Sequence, residues 1–253
     1  MFMKYFVVTD VHGFYSILKE KLQEVGFDLE DPNHFLISCG DLFDRGMQPK
    51  ECLDFMMSIP KERRVFIKGN HESMLIDAIK RGNVLSPLYD RNGTTITFLK
   101  LSGKEDSEDV SGILEGLRNN VQLQRYLSEL KDYYELDDYI FCHGWIPKKE
   151  GQVDYYKQAT EREWEEARWT NGYEAWALSK LFGKKENLNK TIVCGHYRTA
   201  FGHAYFHDKG KDIPRYGIDI SECCFDIFYD EGIIGLDACT AASHKMNVLV
   251  IEK

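Results

Sequence analysis

The sequence predicts an α/β fold in which two packed, mixed β-sheets are flanked by helices, with a mostly helical cap inserted in mid-chain. Three observations carry that expectation. One local grammar recurs five times, a short β-branched or aromatic run ending in a small residue and then polar groups: YFVVTDVHG at Asp10, HFLISCGD at Asp41, RVFIKGNHE at Asn70, YIFCHG at His143 and TIVCGH at His196. Helical patterns lie between the first three of these runs. The tail reads as a β-hairpin, FDIFYDEGIIGLDAC, followed by a last strand in KMNVLVIEK, which implies a second sheet packed on the first.

Taken in order, short apolar runs bounded by glycine and polar residues read as buried strands, so the polar residues sit where strands end. FYSILKEKLQEVG places Ile17, Leu18, Leu22 and Val25 on one helical face, and PKECLDFMMSI and ESMLIDAIKRG are the next two helices. Strand, helix, strand order implies parallel strands with right-handed crossovers, whose C-terminal ends share one edge where such sheets carry their sites. From about 83 to 131 the sequence turns polar and helical, as in LRNNVQLQRYLSELKDYY, and reads as an insertion within a single domain spanning 1–253. KEDSED, at 104–109, is expected to be a solvated loop. A helical stretch from Tyr155 to Phe182 carries Trp164, Trp169, Tyr173 and Trp176, whose spacing is that of a core-facing stripe.

Composition narrows the function. A chain of 253 residues with 43% hydrophobic content can bury the core of one large domain. Its formal charge of -9, with lysines scattered, lacks the basic footprint of a nucleic-acid binder. An acidic protein that handles an anion must deliver positive charge locally, through bound metal or a few arginines. MFMKYFVVTD is too short for a signal-peptide core, and no window suffices to cross a bilayer, so a soluble, cytoplasmic protein is expected. Seven cysteines fit neither a disulfide framework nor paired zinc spacing. Cys39, Cys142 and Cys194 read as small packing residues beneath the motifs, not as nucleophiles.

The strand ends together present Asp10, His12, Asp41, Asp44, Asn70, His71, His143 and His196. Singly, each aspartate would be a cap or turn residue and each histidine an ordinary side chain. Five such coincidences at successive strand ends argue otherwise. Carboxylate, imidazole and amide oxygen in one place suit two adjacent divalent transition metals, manganese, iron or zinc, with one bridging carboxylate. If the first strand stays extended, Asp10 and His12 at i and i+2 leave on the same face and reach one ion. In GDLFDRG, Asp41 would bridge, while Asp44 and Arg45 would support the site and bind substrate. Gly40 and Gly46 would turn the loop sharply and bring backbone close to a bound anion.

DVH, GDLFDRG, GNHE, CHG and CGH, in this order, resemble the phosphoprotein phosphatase family of calcineurin-like metallophosphoesterases, bacterial type. The resemblance implies that family's fold and a two-metal centre, with Asp10, His12 and Asp41 on one ion and Asp41, Asn70, His143 and His196 on the other. It implies His71 as general acid oriented by Asp44, and Arg45 on the phosphate oxygens. The family's second arginine is best matched by Arg168 in EEARWTNG, with Arg162 as the fallback. The chain departs from the family after its last metal histidine, where GHYRTAFGH puts Tyr197 and Arg198 in place of the usual threonine. His203, His207 and His244 match nothing in the pattern and read as ordinary surface or core residues.

Two ions about 3.5 to 4 Å apart can lower the pKa of a bridging water toward about 7, so that hydroxide attacks phosphorus directly and no phosphoenzyme is needed. The expected activity is a phosphatase acting on phosphomonoesters, either phosphoserine or phosphothreonine proteins or small phosphoesters. The alternative is hydrolysis of dinucleoside polyphosphates. A non-catalytic metal- and phosphate-binding regulatory module is the third reading, weakened by the presence of an acid, His71, that mere binding does not need. No nucleic-acid or membrane partner is expected.

Overall fold

The strands of the first sheet are β1 (Lys4–Val8), β2 (His34–Ser38) and β3 (Arg64–Phe66), parallel in the order β3-β2-β1 in the computed structural model, which describes residues 2–84, 86–104, 108–185, 189–213 and 219–253. The crossovers between them are α1 (Tyr15–Glu24) and α2 (Pro49–Ser58), and β3 leads into α3 (Asn70–Arg81). Alternation along these strands sorts the core. Phe6, Val8, Leu36 and Phe66 pack under the helices, while Val7, Ile37 and Val65 face the other sheet.

The second sheet is β4 (Tyr134–Leu136), β5 (Tyr139–Phe141), β6 (Thr191–Cys194), β7 (Phe228–Asp230) and β8 (Ile233–Gly235), in the order β4-β5-β6-β8-β7. Here β5, β6 and β8 run parallel and the two edges are antiparallel. Phe141, Val193 and Ile234 meet Val7, Ile37 and Ile251 between the sheets. The predicted hairpin is β7 and β8, turning through Gly232 at φ +77°. The last strand, β9 (Leu249–Glu252), leaves the hairpin's sheet and pairs antiparallel with β1 of the first. Both sheets are therefore mixed, and they pack face to face with helices outside.

Between α3 and β4 lie α4 (Pro87–Asn92), α5 (Thr94–Ser102), α6 (Val110–Asn119) and α7 (Val121–Glu129). Part of KEDSED, residues 105–107, lies outside the described residues. Asp109 Oδ1 accepts from Ser111 N at 3.1 Å and caps α6. This segment is bolted to the sheet by Arg64, whose buried guanidinium forks onto Glu129 of α7 at 3.0 and 2.8 Å. The same group donates to the carbonyls of Met57 and Ile59 at 2.9 and 2.5 Å, where α2 ends.

Two local expectations are corrected. Strand β1 ends at Val8, and Asp10 and His12 take left-handed φ of +48° and +50°, so they do not share the face of an extended strand. The aromatic stripe also fails as one face. The helix breaks between α8 (Glu161–Arg168) and α9 (Gly172–Lys185), leaving Trp164 buried but Trp169 48% and Tyr173 61% exposed. Trp176 keeps to the core and stacks on Phe206 at 3.8 Å.

Arg64→Met removes a fork that ties α7, β3 and the end of α2 together and strands buried carbonyls. Urea denaturation is expected to report a loss of about 3 kcal/mol at unchanged m value. A midpoint within experimental error of the wild type would show that packing alone holds the segment.

Candidate active site

The strand-end loops are held together by one carboxylate. Glu72, fully buried in the first turn of α3, accepts the backbone N–H groups of Asp41 and Gly69 on Oε2 and that of Leu42 on Oε1, each at 2.8 Å. Tyr126 of α7 adds its hydroxyl to Oε1 at 3.4 Å. Burial and neighbouring Asp41 push this carboxyl above its ordinary range, and the three amides oppose them. The approach is close enough to require Gly40, at φ +90°, where a Cβ would fall 2.7 Å from Gly69 Cα and 2.8 Å from His143 Nδ1. The missing Cβ of Gly46 lets the loop pack on Gly13, and its N–H donates to His12 O at 2.8 Å.

Asp41 lies at the centre. Its Oδ1 accepts the His71 backbone N–H at 3.0 Å, while Oδ2 lies 3.7 Å from His12 Nε2, 3.4 Å from His143 Nε2 and 3.9 Å from His71 Nε2. Two groups of ligand atoms follow, each within 4.8 Å: His12, Asp41 and His71, and Asp41, His143 and His196. His12 Nδ1 bonds to Phe43 O at 3.0 Å and His143 Nδ1 to Cys39 O at 2.8 Å. As donors there, both rings turn their Nε2 atoms toward Asp41, an orientation that would present them to a bound ion. Asn70 Oδ1 lies 2.9 Å from His143 Nε2 and 3.0 Å from His196 Nδ1. Asp10 closes the other side, accepting from Thr9 Oγ1 at 2.6 Å and His196 N at 3.0 Å, with its Oδ1 3.8 Å from His12 Nε2.

The electrostatics suit cations. Burial lowers His12 to about 3 and His196 to about 4, keeping both rings neutral with ligand lone pairs. Burial also acts against His143, but Asp41 and Asp10 outweigh it and raise that ring to about 10. Asp10 is raised by burial, and Asp237, on the same cavity, is pushed well up by burial and the nearby Asp10. Crowded, desolvated oxygens with the neutral imidazoles of His12 and His196 beside them, and a His143 proton that a cation would displace, form a donor set that fits borderline divalent metals.

Beside this cluster His71 Nδ1 meets Asp44 Oδ2 at 2.5 Å. Asp44 is itself held by Thr94 Oγ1 at 2.7 Å and Thr97 Oγ1 at 2.8 Å, two fully buried hydroxyls of α5. Burial disfavours the His71 cation, but Asp41 and Asp44 outweigh it and raise its pKa. Arg45 is exposed on a cavity of about 510 Å³ and makes no side-chain ion pair among the described residues. Arg168 is not there. It is 1% exposed, its guanidinium taken up by Asp132, by Glu165 at 2.7 Å, by Glu161 at 3.2 Å and by Ser73 at 3.4 Å. Arg162 also points away, pairing with Glu166 at 3.2 Å on the surface. The cavity's two arginines among the described residues are Arg45 and Arg198. Cys39, Cys142 and Cys194 are buried, and burial pushes all three thiols up, in keeping with packing. His203 is spoken for, its Nε2 lying 3.1 Å from Asp226 O.

Candidate metal ligands thus cluster at the C-terminal strand ends of two packed mixed sheets, an arrangement able to hold divalent ions. The sequence agrees: residues 3–222 match the family model for calcineurin-like phosphoesterases, and the chain belongs to that family. It is 38% identical over 87 residues to serine/threonine-protein phosphatase 1 of Salmonella typhimurium, covering 34% of this chain and 37% of that one. It is 28% identical over 113 residues to the asymmetrical bis(5'-nucleosyl)-tetraphosphatase PrpE of Bacillus velezensis, covering 42% and 45%. The chain thus spans less than half the length of either relative. A solved serine/threonine phosphatase from Saccharomyces cerevisiae superposes with a TM-score of 0.57 over 99% of this chain and 79% of that one, at 12% identity, which is a likeness of fold. No described helix is long and apolar enough to cross a membrane.

Glu72→Gln offers one acceptor oxygen where two serve four donors, and turns an amide N–H₂ toward backbone N–H groups. Thermal and urea unfolding are expected to show a loss of about 2 to 3 kcal/mol, with weakened divalent-metal binding. An unchanged midpoint would mean that the loops hold their shape without the clasp.

Proposed function

We propose that the protein is a two-metal phosphatase that hydrolyses phosphomonoesters, either phosphoserine or phosphothreonine in proteins or small phosphoesters. Asp10, His12 and Asp41 would hold one divalent ion, and Asp41, Asn70, His143 and His196 the other, manganese being the first candidate. When bound, the ions supply Lewis-acid charge to the phosphate and acidify water for attack on it. Arg45, exposed on the cavity, clamps the equatorial phosphate oxygens with its planar fork.

The observation that carries the monoester reading is the His71–Asp44 pair at 2.5 Å, braced by Thr94 and Thr97. With Nδ1–H engaged by Asp44, His71 keeps a proton on Nε2 to give to the departing oxygen. An alkoxide such as that of serine is a poor leaving group and needs that proton, whereas a phosphoanhydride departs as a stable phosphate anion and gains little from it. The likeness to a tetraphosphatase supports dinucleoside polyphosphate hydrolysis as the second reading.

The test is hydrolysis after chelation and manganese re-addition, with a phosphopeptide and diadenosine tetraphosphate assayed side by side. Metal-dependent release of inorganic phosphate from the peptide, with slow dinucleotide cleavage, is expected; nucleotide products at the higher rate would favour the second reading. His71→Asn should lower kcat on alkyl phosphates about 100-fold or more and on activated aryl phosphates far less, since proton transfer contributes about 10² to 10⁴. Equal losses on both would remove His71 from the acid's role and point to a ligand. Arg45→Ala should raise KM and lower kcat together, because a contact to developing charge strengthens in the transition state. Unchanged steady-state kinetics would make Arg45 a loop residue only.

A further inference from the structure

The two arginines of the cavity are placed differently. Arg45 lies near enough to the ligand cluster for its charge to depress the imidazoles of His12, His71 and His196. Arg198 lines the same cavity with Asp237 and Cys239 and also borders a second hollow, with Ala204, Tyr205 and Asp212, that none of the ligand residues lines. The wall thus carries one cation at the metal ligands and a second further along.

Arg198 is also fixed. Its Nε donates to Asp212 Oδ1 at 2.5 Å and its Nη2 to Oδ2 at 2.6 Å, while its side chain stays 39% exposed. That fork uses two of five N–H donors, and the remaining three have no partner among the described residues. A guanidinium braced in this way loses little freedom on binding a planar anion. Asp237 lines the same cavity and is not among the residues that would hold the ions, so it offers no attraction to an anion lying beyond the scissile phosphate. The cavity, at about 510 Å³, also exceeds what one phosphate fills.

We propose that Arg198, braced by Asp212, recognises a second anionic group on the substrate, a phosphate or a carboxylate, so that the preferred substrate is a phosphomonoester bearing a second anion. The inference rests on the phosphomonoesterase reading above. It gives a use to the GHYRTAFGH segment, where the chain departs from the family pattern, and it assigns to Arg198 a contact different from that of Arg45.

The experiment uses the manganese-loaded full chain and three substrates on one three-carbon frame: glycerol 3-phosphate, 3-phosphoglycerate and 2,3-bisphosphoglycerate. The wild type is expected to favour at least one of the latter two by about tenfold or more in kcat/KM, and which one it favours identifies the second anion as carboxylate or phosphate. Arg198→Gln should lower kcat/KM on that substrate about 10- to 100-fold, mainly through KM, and on glycerol 3-phosphate by less than about threefold. Arg198→Lys should restore part of the preference, which a purely structural wall residue would not do. Equal losses on all three substrates would overturn the proposal and place Arg198 on the scissile phosphate. A wild type that hydrolyses p-nitrophenyl phosphate but shows no preference among the three, or turns over none of them, would overturn it as well. Failure to release phosphate from p-nitrophenyl phosphate would instead overturn the phosphatase reading beneath it.

Discussion

Everything at this site depends on one buried carboxylate holding backbone in place. Glu72 ties the amides of Asp41 and Leu42, after β2, to that of Gly69, before α3. Without that clasp the GDLFDRG and GNHE loops would have no reason to lie so close that Gly40 and Gly69 touch backbone to backbone. The clasp sets the position of Asp41, and Asp41 sets the rest: its Oδ1 caps the start of α3 through His71 N, and its Oδ2 faces three imidazoles. Asp10, His12, Asp41, Asp44, Arg45 and His196 all take left-handed φ, a conformation that costs each residue about 1 kcal/mol or more and persists only where surroundings over-determine it.

The net charge then makes sense. A protein of formal charge -9 repels phosphate at long range, yet its burial of Asp10, Asp41 and Asp237 in one cavity creates a place suited to dications. The carboxylates would recruit the ions, and the ions together with Arg45 would attract the phosphate. The helical segment between α3 and β4 takes part in this arrangement. Its Thr94 and Thr97 satisfy Asp44, its Tyr126 reaches Glu72, and its Asn92 O accepts the Arg45 N–H at 2.9 Å.

The sheet strands and most of the site were legible because each strand announces itself twice, by its apolar run and by the polar residues at its end. Asp10, His12, Asp41, Asn70, His71, His143 and His196 do converge, although the extended-strand argument for Asp10 and His12 fails where the chain turns left-handed. Glu72 was in view within GNHE, but its partners are backbone amides, which leave no mark in a sequence. Thr94 and Thr97 act across 50 residues or more of chain and carry no local signal. The capture of Arg168 is partly legible in its own helix, where Glu165 at i−3 and Glu161 at i−7 pair with it. The aromatic stripe misled because residues 169–171 interrupt the helix that its spacing assumed.

Asp41 would be shared by two metal ions held by a preorganised shell. Counting bound divalent ions per chain by calorimetric titration of chelator-treated protein tests it most directly, for the wild type and for Asp41→Asn. Two ions are expected for the wild type, with loss of tight binding at both positions in the variant. A single ion in the wild type, or a variant that keeps one site at full affinity, would contradict it.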